Sequence, residues 1–148
     1  MTMITKGMIA VSAAFSVLVV APVSYMLFDN QPPYEYDAEN SYVIPARTPA
    51  GRQMLVHWKF SRVNRICVGS ITRYIVDKDT GVRVSYDPTP AAKNINEGDS
   101  ALDRTFFLPP DTVPGKKWYY ADGEYACNPL QHLYPLRVRT PRLSFEVE

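Results

Sequence analysis

Residues 66–86 read Ile-Cys-Val-Gly-Ser-Ile-Thr-Arg-Tyr-Ile-Val-Asp-Lys-Asp-Thr-Gly-Val-Arg-Val-Ser-Tyr, and this stretch decides the fold class. Ile66–Val76 is a long run with β character, carrying Cys67, Ile71, Tyr74 and Ile75. Asp77–Gly81 has the chemistry of a compact turn, because Asp caps its own backbone and Gly accepts the conformation that ends the turn. Val82–Tyr86 then returns as a strand, so the pair predicts an antiparallel hairpin.

Working upstream, Met54, Val56, Trp58 and Phe60 alternate with Leu55, His57, Lys59 and Ser61. A period of two marks a half-buried strand, here with the even residues facing the core. Downstream, Pro88, Pro90 and the polar residues 91–100 predict a loop. Arg104–Leu108 predicts a strand stopped by Pro109-Pro110, and Pro114-Gly115 predicts a turn. Lys116–Cys127 predicts an aromatic-rich strand, and 128–135 an irregular segment. Leu143, Phe145 and Val147 alternate with Ser144, Glu146 and Glu148 as a closing strand. About seven strands with frequent turns and no amphipathic helix predict an all-β antiparallel sandwich over residues 50–148.

Gly7–Phe28 contains no charged residue. As a helix at about 1.5 Å per residue it is long enough for a hydrocarbon core of about 30 Å. It predicts a single transmembrane helix over 7–28, with residues 1–6 as a short cytoplasmic tail carrying Lys6 and the C-terminal domain in the periplasm or outside the cell. A cleaved secretory signal is the alternative; Pro22, directly after Val19-Val20-Ala21, disfavours cleavage there. Residues 29–49 predict an extended linker, stiffened by Pro32-Pro33 and solvated by Asp29, Glu35, Asp37 and Glu39. Within it Ser41–Ile44 could already be a first edge strand. Tyr25, Tyr34 and Tyr36 read as residues of a membrane interface.

The net charge is +1. The basic excess from Arg47 onward is mild and scattered along the chain, so no nucleic-acid partner is expected. Two cysteines, Cys67 and Cys127, are free to pair in an oxidising compartment. Such a bridge stabilises by roughly 4 kcal/mol on a chain-entropy model.

The run Trp118-Tyr119-Tyr120-Ala121-Asp122-Gly123-Glu124-Tyr125-Ala126-Cys127 resembles the late-strand signature of immunoglobulin-like domains. The resemblance implies an immunoglobulin-like β-sandwich and a tyrosine corner at Tyr125, two residues before Cys127. The pattern departs from that family in its tryptophans, since Trp58 precedes Cys67 and Trp118 precedes Cys127. More broadly, Asp87-Pro88-Thr89-Pro90, Phe106-Phe107-Leu108-Pro109 and Cys127-Asn128-Pro129-Leu130-Gln131 resemble small membrane-anchored proteins encoded by tailed bacteriophages and prophages. That resemblance implies a bacterial inner membrane with the domain in the periplasm, and brings no activity or functional residue with it.

His57 and His132 have no second ligand at metal-binding spacing, and there is no phosphate-binding glycine loop or nucleophile-elbow motif. Asp77, Asp79 and Asp87 are explained as turn residues more simply than as calcium ligands. No catalytic residue, cofactor or metal is therefore expected, and the chain reads as a non-enzyme. Arg62, Arg65 and Arg73, with Arg137, Arg139 and Arg142, could build a basic face. Among the clustered aromatics, Trp118 and Tyr120 read as core, which leaves Tyr119 for a partner surface. The expected function is a membrane-anchored extracytoplasmic binding module, such as a phage-encoded envelope factor. Its expected partners are the lipid bilayer and an envelope protein or polymer. The alternatives are a structural subunit of a virion or envelope complex, and a secreted immunoglobulin-like protein with a cleaved signal.

Overall fold

The computed structural model describes residues 3–91, 95, 98 and 100–148, with side chains in the first helix from Ser16 onward. That helix, α1 (Met3–Phe28), contains Pro22. Among the described residues, no helix is long and apolar enough to cross a membrane. The bilayer expected as a partner of residues 7–28 therefore has no spanning helix behind it among the described residues.

Among the described residues ten strands follow: β1 (Tyr34–Ile44), β2 (Arg47–Thr48), β3 (Gln53–Val63), β4 (Val68–Asp77), β5 (Arg83–Ser85), β6 (Thr89–Pro90), β7 (Ala101–Phe107), β8 (Gly115–Ala126), β9 (Leu136–Arg139) and β10 (Leu143–Val147), with a 3-10 turn at Pro129–His132. They form two sheets. The smaller has the order β1-β3-β7; the larger runs β2-β10-β8-β4-β5, with β6 added to β4 and β9 to β8. All pairings are antiparallel except the short β2–β10 contact. The β4–β5 hairpin is the one expected from residues 66–86, and Asp77 Oδ1 accepts from the backbone N–H groups of Asp79 and Thr80 to hold its turn.

The sheets pack face to face. Met54, Val56, Trp58 and Phe60 turn inward from β3 as their alternation requires, the first three against Ile75, Tyr119, Leu143, Phe145 and Val147 of the larger sheet. A second cluster, around Tyr34, Phe60, Cys67 and Tyr125, fills the other end. There Cys67 and Cys127 form a disulfide. The bridge ties the ends of neighbouring strands, since Val68 pairs with Ala126.

Residues 29–49 are not an extended linker. β1 occupies most of the segment, and Tyr34 is buried at its start rather than lying at a membrane interface. The chain then passes to the larger sheet through a cis Ile44–Pro45 bond. Asp29 is also held. Arg65 Nη1 donates to its carboxylate at 2.5 Å, and Gln131 Nε2 donates to its carbonyl at 2.8 Å. Arg65 keeps the Asp29 carboxyl below the usual carboxylate range.

Candidate functional site

The outward face of the larger sheet carries the densest grouping of exposed functional side chains. Its orientation follows from register. Tyr119, Ala121 and Tyr125 point into the core, so Trp118, Tyr120, Asp122 and Glu124 point away from it. Across the ladder, Tyr74 lies opposite Tyr120 and Val76 opposite Trp118, while Arg139 lies opposite Asp122 and Arg137 opposite Glu124. Arg83 lies opposite Val76, which brings the third strand of the hairpin region onto the same face.

Cations cover the rings. Lys78 Nζ lies 5.1 Å from the Trp118 ring centre and Arg142 lies 5.3 Å from it. Arg83 lies 4.6 Å from Tyr74. Arg139 and Arg142 lie 5.3 and 5.8 Å from Tyr120. Tyr74 and Tyr120 stack on each other at 5.1 Å. Each such contact contributes about 0.5–1 kcal/mol at an exposed site, and together they hold long side chains in defined positions. The Tyr120 hydroxyl raises the Arg83 guanidinium above its usual value, and Asp122 does the same for Arg139.

The charges are incompletely balanced. Arg139 makes a two-pronged contact with Asp122 at 2.7 and 3.0 Å, Arg137 meets Glu124 at 3.1 Å, and Arg47 meets Glu146 at 3.1 Å. Lys78 donates to the Ser144 hydroxyl, not to an acid. Among the described residues, Lys78, Arg83 and Arg142 have no carboxylate partner. The face therefore presents three cations that have no ion-pair partner among the described residues, fixed on an aromatic stripe. The folded sheet gathers bases that the linear sequence scatters.

The expected basic residues divide into separate places. Arg137, Arg139 and Arg142 join this face. Arg62 lies near the end of β3, paired with Glu35 of β1 in the ladder. Arg65 is committed to Asp29 and to the Gln31 carbonyl. Arg73 is opposite Ala121 and so points inward. Tyr119 is 2% exposed and belongs to the core, which corrects its placement on a partner surface. Trp118 and Tyr120 are corrected in the opposite sense. Tyr120 is buried, but by neighbours on the outward face.

Sequence reasoning missed Lys78 and Arg83. A usable signal was present: placing Tyr125 inward sets Tyr119 inward too, because residues of one strand that differ by an even number share a face. Tyr125 itself is buried, and its hydroxyl meets that of Tyr36 on the facing sheet. This is an inter-sheet contact, distinct from the backbone bond of a tyrosine corner.

On the other outward face, His57 Nδ1 lies 2.5 Å from Asp103 and the ring stacks on Tyr42. This pair occupies an open sheet surface. Among the described residues, no group of three or more His, Cys, Asp or Glu side chains could hold a metal.

No family model and no curated protein matches the chain. Among solved structures, the Pseudomonas fluorescens alkylpurine DNA glycosylase AlkC bound to DNA containing an abasic site analog is similar over 78% of this chain and 30% of that one, at 12% identity and a TM-score of 0.44. That neighbour is an enzyme bound to DNA, the reverse of the expected non-enzyme with no nucleic-acid partner, and neither expectation is kept. A likeness at this level assigns neither an activity nor a ligand to the present chain.

Proposed function

We propose that the chain is a binding module that takes a phosphate-bearing strand, single-stranded nucleic acid, on the outward face of its larger sheet. The observation that carries this reading is the set of cations without an ion-pair partner among the described residues, Lys78, Arg83 and Arg142, held over Trp118, Tyr74 and Tyr120. A guanidinium fixed in this way can pair with phosphate in a forked geometry and offer its own plane to an unstacked base. In this reading the two packed sheets are an immunoglobulin-like sandwich variant, with the disulfide placed within one sheet rather than between the two. The disulfide also favours a working site in an oxidising compartment outside the cytoplasm.

The test is fluorescence anisotropy with a labelled single-stranded oligonucleotide over a salt series. Three phosphate contacts predict a slope of log K against log salt of about −2 on single strands. The double variant R83Q/R142Q should weaken binding at least ten-fold and flatten that slope toward about −0.7. Absence of oligonucleotide binding at low salt would overturn the proposal. Tighter binding of heparin than of the oligonucleotide would transfer the face to sulfated polysaccharides.

A further inference from the structure

A second site lies between the sheets, at positions that alternation assigns to the core. Three cations occupy inward-facing strand positions. Lys117 shares its face of β8 with Tyr119, Arg73 shares its face of β4 with Ile75, and Arg104 shares its face of β7 with Phe106. A charge at such a position is costly unless it is paired. Lys117 follows that rule: it is 3% exposed and paired with Asp77. Arg73 and Arg104 are half-buried, and neither takes part in an ion pair among the described residues.

These two arginines come from opposite sheets and line one cavity of about 480 Å³. Its walls include Tyr36, Trp58, Tyr119 and Tyr125, and no Asp or Glu among the described residues lines it. Register explains the space. Arg73 stands opposite Ala121, whose methyl group leaves open volume where a larger core residue would have closed the layer. Arg73 is positioned by donating from Nη1 to the Thr89 hydroxyl at 2.7 Å. The hydroxyl of Tyr34, which also lines the cavity, is buried with no hydrogen-bond partner among the described residues. The volume falls in the range of small-molecule sites, which combine apolar walls with a few fixed polar groups.

We infer that this inter-sheet cavity binds a small anionic ligand with a flat apolar body, its acidic head between Arg73 and Arg104 and its body against the aromatic wall. The site is separate from the outward basic face and shares none of the cations there. It places an unassigned ligand between the sheets, where the charge of the head group answers two arginines that have no ion-pair partner among the described residues.

The probe is anilinonaphthalene sulfonate, with uncharged phenylnaphthylamine as the control that keeps the rings and lacks the anion. On the folded, oxidised protein the sulfonate should bind saturably at one site and at least ten-fold tighter than the neutral compound. Arg104 has no described hydrogen bond to lose, so R104M should keep its near-ultraviolet circular dichroism. It should lower sulfonate affinity to that of the neutral compound, leaving the latter within two-fold. A121L, which fills the cavity, should abolish both. Equal affinity for the two probes, no saturable binding, or sulfonate binding unchanged in both R104M and A121L would each overturn the inference. The R83Q/R142Q variant should bind the sulfonate as wild type does; a matching loss there would assign the probe to the outward face and refute the cavity.

Discussion

Replacing Gly123 by alanine tests the packing of the larger sheet directly. A Cβ built on Gly123 would lie 2.4 Å from Tyr125 Cε2, 2.6 Å from its hydroxyl oxygen and 2.7 Å from Cζ. The Tyr125 ring thus lies along its own strand, across the glycine two residues before it. It cannot swing clear, because a Cβ on Gly69 in the neighbouring strand would meet the same ring at 2.6 Å and Tyr34 packs edge-on against it at 5.4 Å. In an ordinary strand position, Gly to Ala stabilises by about 0.4–1 kcal/mol through the unfolded chain. Here overpacking of a buried ring costs about 1–3 kcal/mol and should dominate. With a urea slope of about 2 kcal/mol per molar, a net loss near 2 kcal/mol lowers the midpoint by about 1 M. Unfolding followed by tryptophan fluorescence provides the assay. In a Y125A background, itself destabilised by about 3–5 kcal/mol, adding G123A should be neutral or stabilising, because the obstructing ring is gone. If G123A alone matches or exceeds wild-type stability, or if its penalty persists without Tyr125, the packing argument is refuted.

Three further outcomes follow from the same geometry. The disulfide closes a loop with a sequence separation of 60, so C67S/C127S should lose roughly 4 kcal/mol on the chain-entropy model; urea midpoints unchanged by reductant would contradict this. Lys117, with the backbone N–H groups of Thr80 and Asp79, holds the Asp77 carboxyl well below the usual carboxylate range. A depressed folded value gives stability that is present above the unfolded value of about 3.9 and lost as pH falls below it. D77N should therefore be less stable than wild type at neutral pH and lose less on acidification; parallel pH–stability curves would refute the linkage. Gln131 accepts from the Cys127 N–H and donates to the Asp29 carbonyl, both at 2.8 Å. Q131A should cost about 1–3 kcal/mol by orphaning a buried donor, and should speed amide exchange at the α1 exit; unchanged exchange there would show that Asp29 is held without it.

How much of this was legible in the sequence depends on whether local pattern or neighbours decided the outcome. The 66–86 hairpin, the inward set Met54 to Phe60 and the closing strand Leu143–Val147 follow from period-two alternation and turn chemistry. β1 was hidden for two reasons. Its acids and flanking prolines resemble a solvated tether, and register shifts between Glu35/Tyr36 and Asp37/Tyr42 break its alternation. β9 carries only Leu-Arg-Val-Arg, too short a pattern to separate from an irregular segment. The aromatic stripe was misjudged because burial and direction were treated as one property. Tyr120 is buried on the outside by a neighbouring ring and two guanidiniums, an arrangement that needs strand register to foresee. Inward Arg73 and Arg104 carry the same lesson in reverse: polarity suggested solvent, while alternation with Ile75 and Phe106 directs them between the sheets.

The contacts around Asp29 have a mechanical meaning. Asp29 grips Arg65, two residues before Cys67, and Gln131, four residues after Cys127; Asn128 also reaches back to the Met26 carbonyl. Together with the S–S bond these contacts form a closed ring. A pull along α1 enters at Asp29, divides between two chain segments and rejoins across a covalent bond, instead of peeling β4 from β8 one hydrogen bond at a time. The helix is thus a lever with a braced fulcrum: torque applied to it turns the β domain as one piece, and reducing a single bond would let the load reach the sheet.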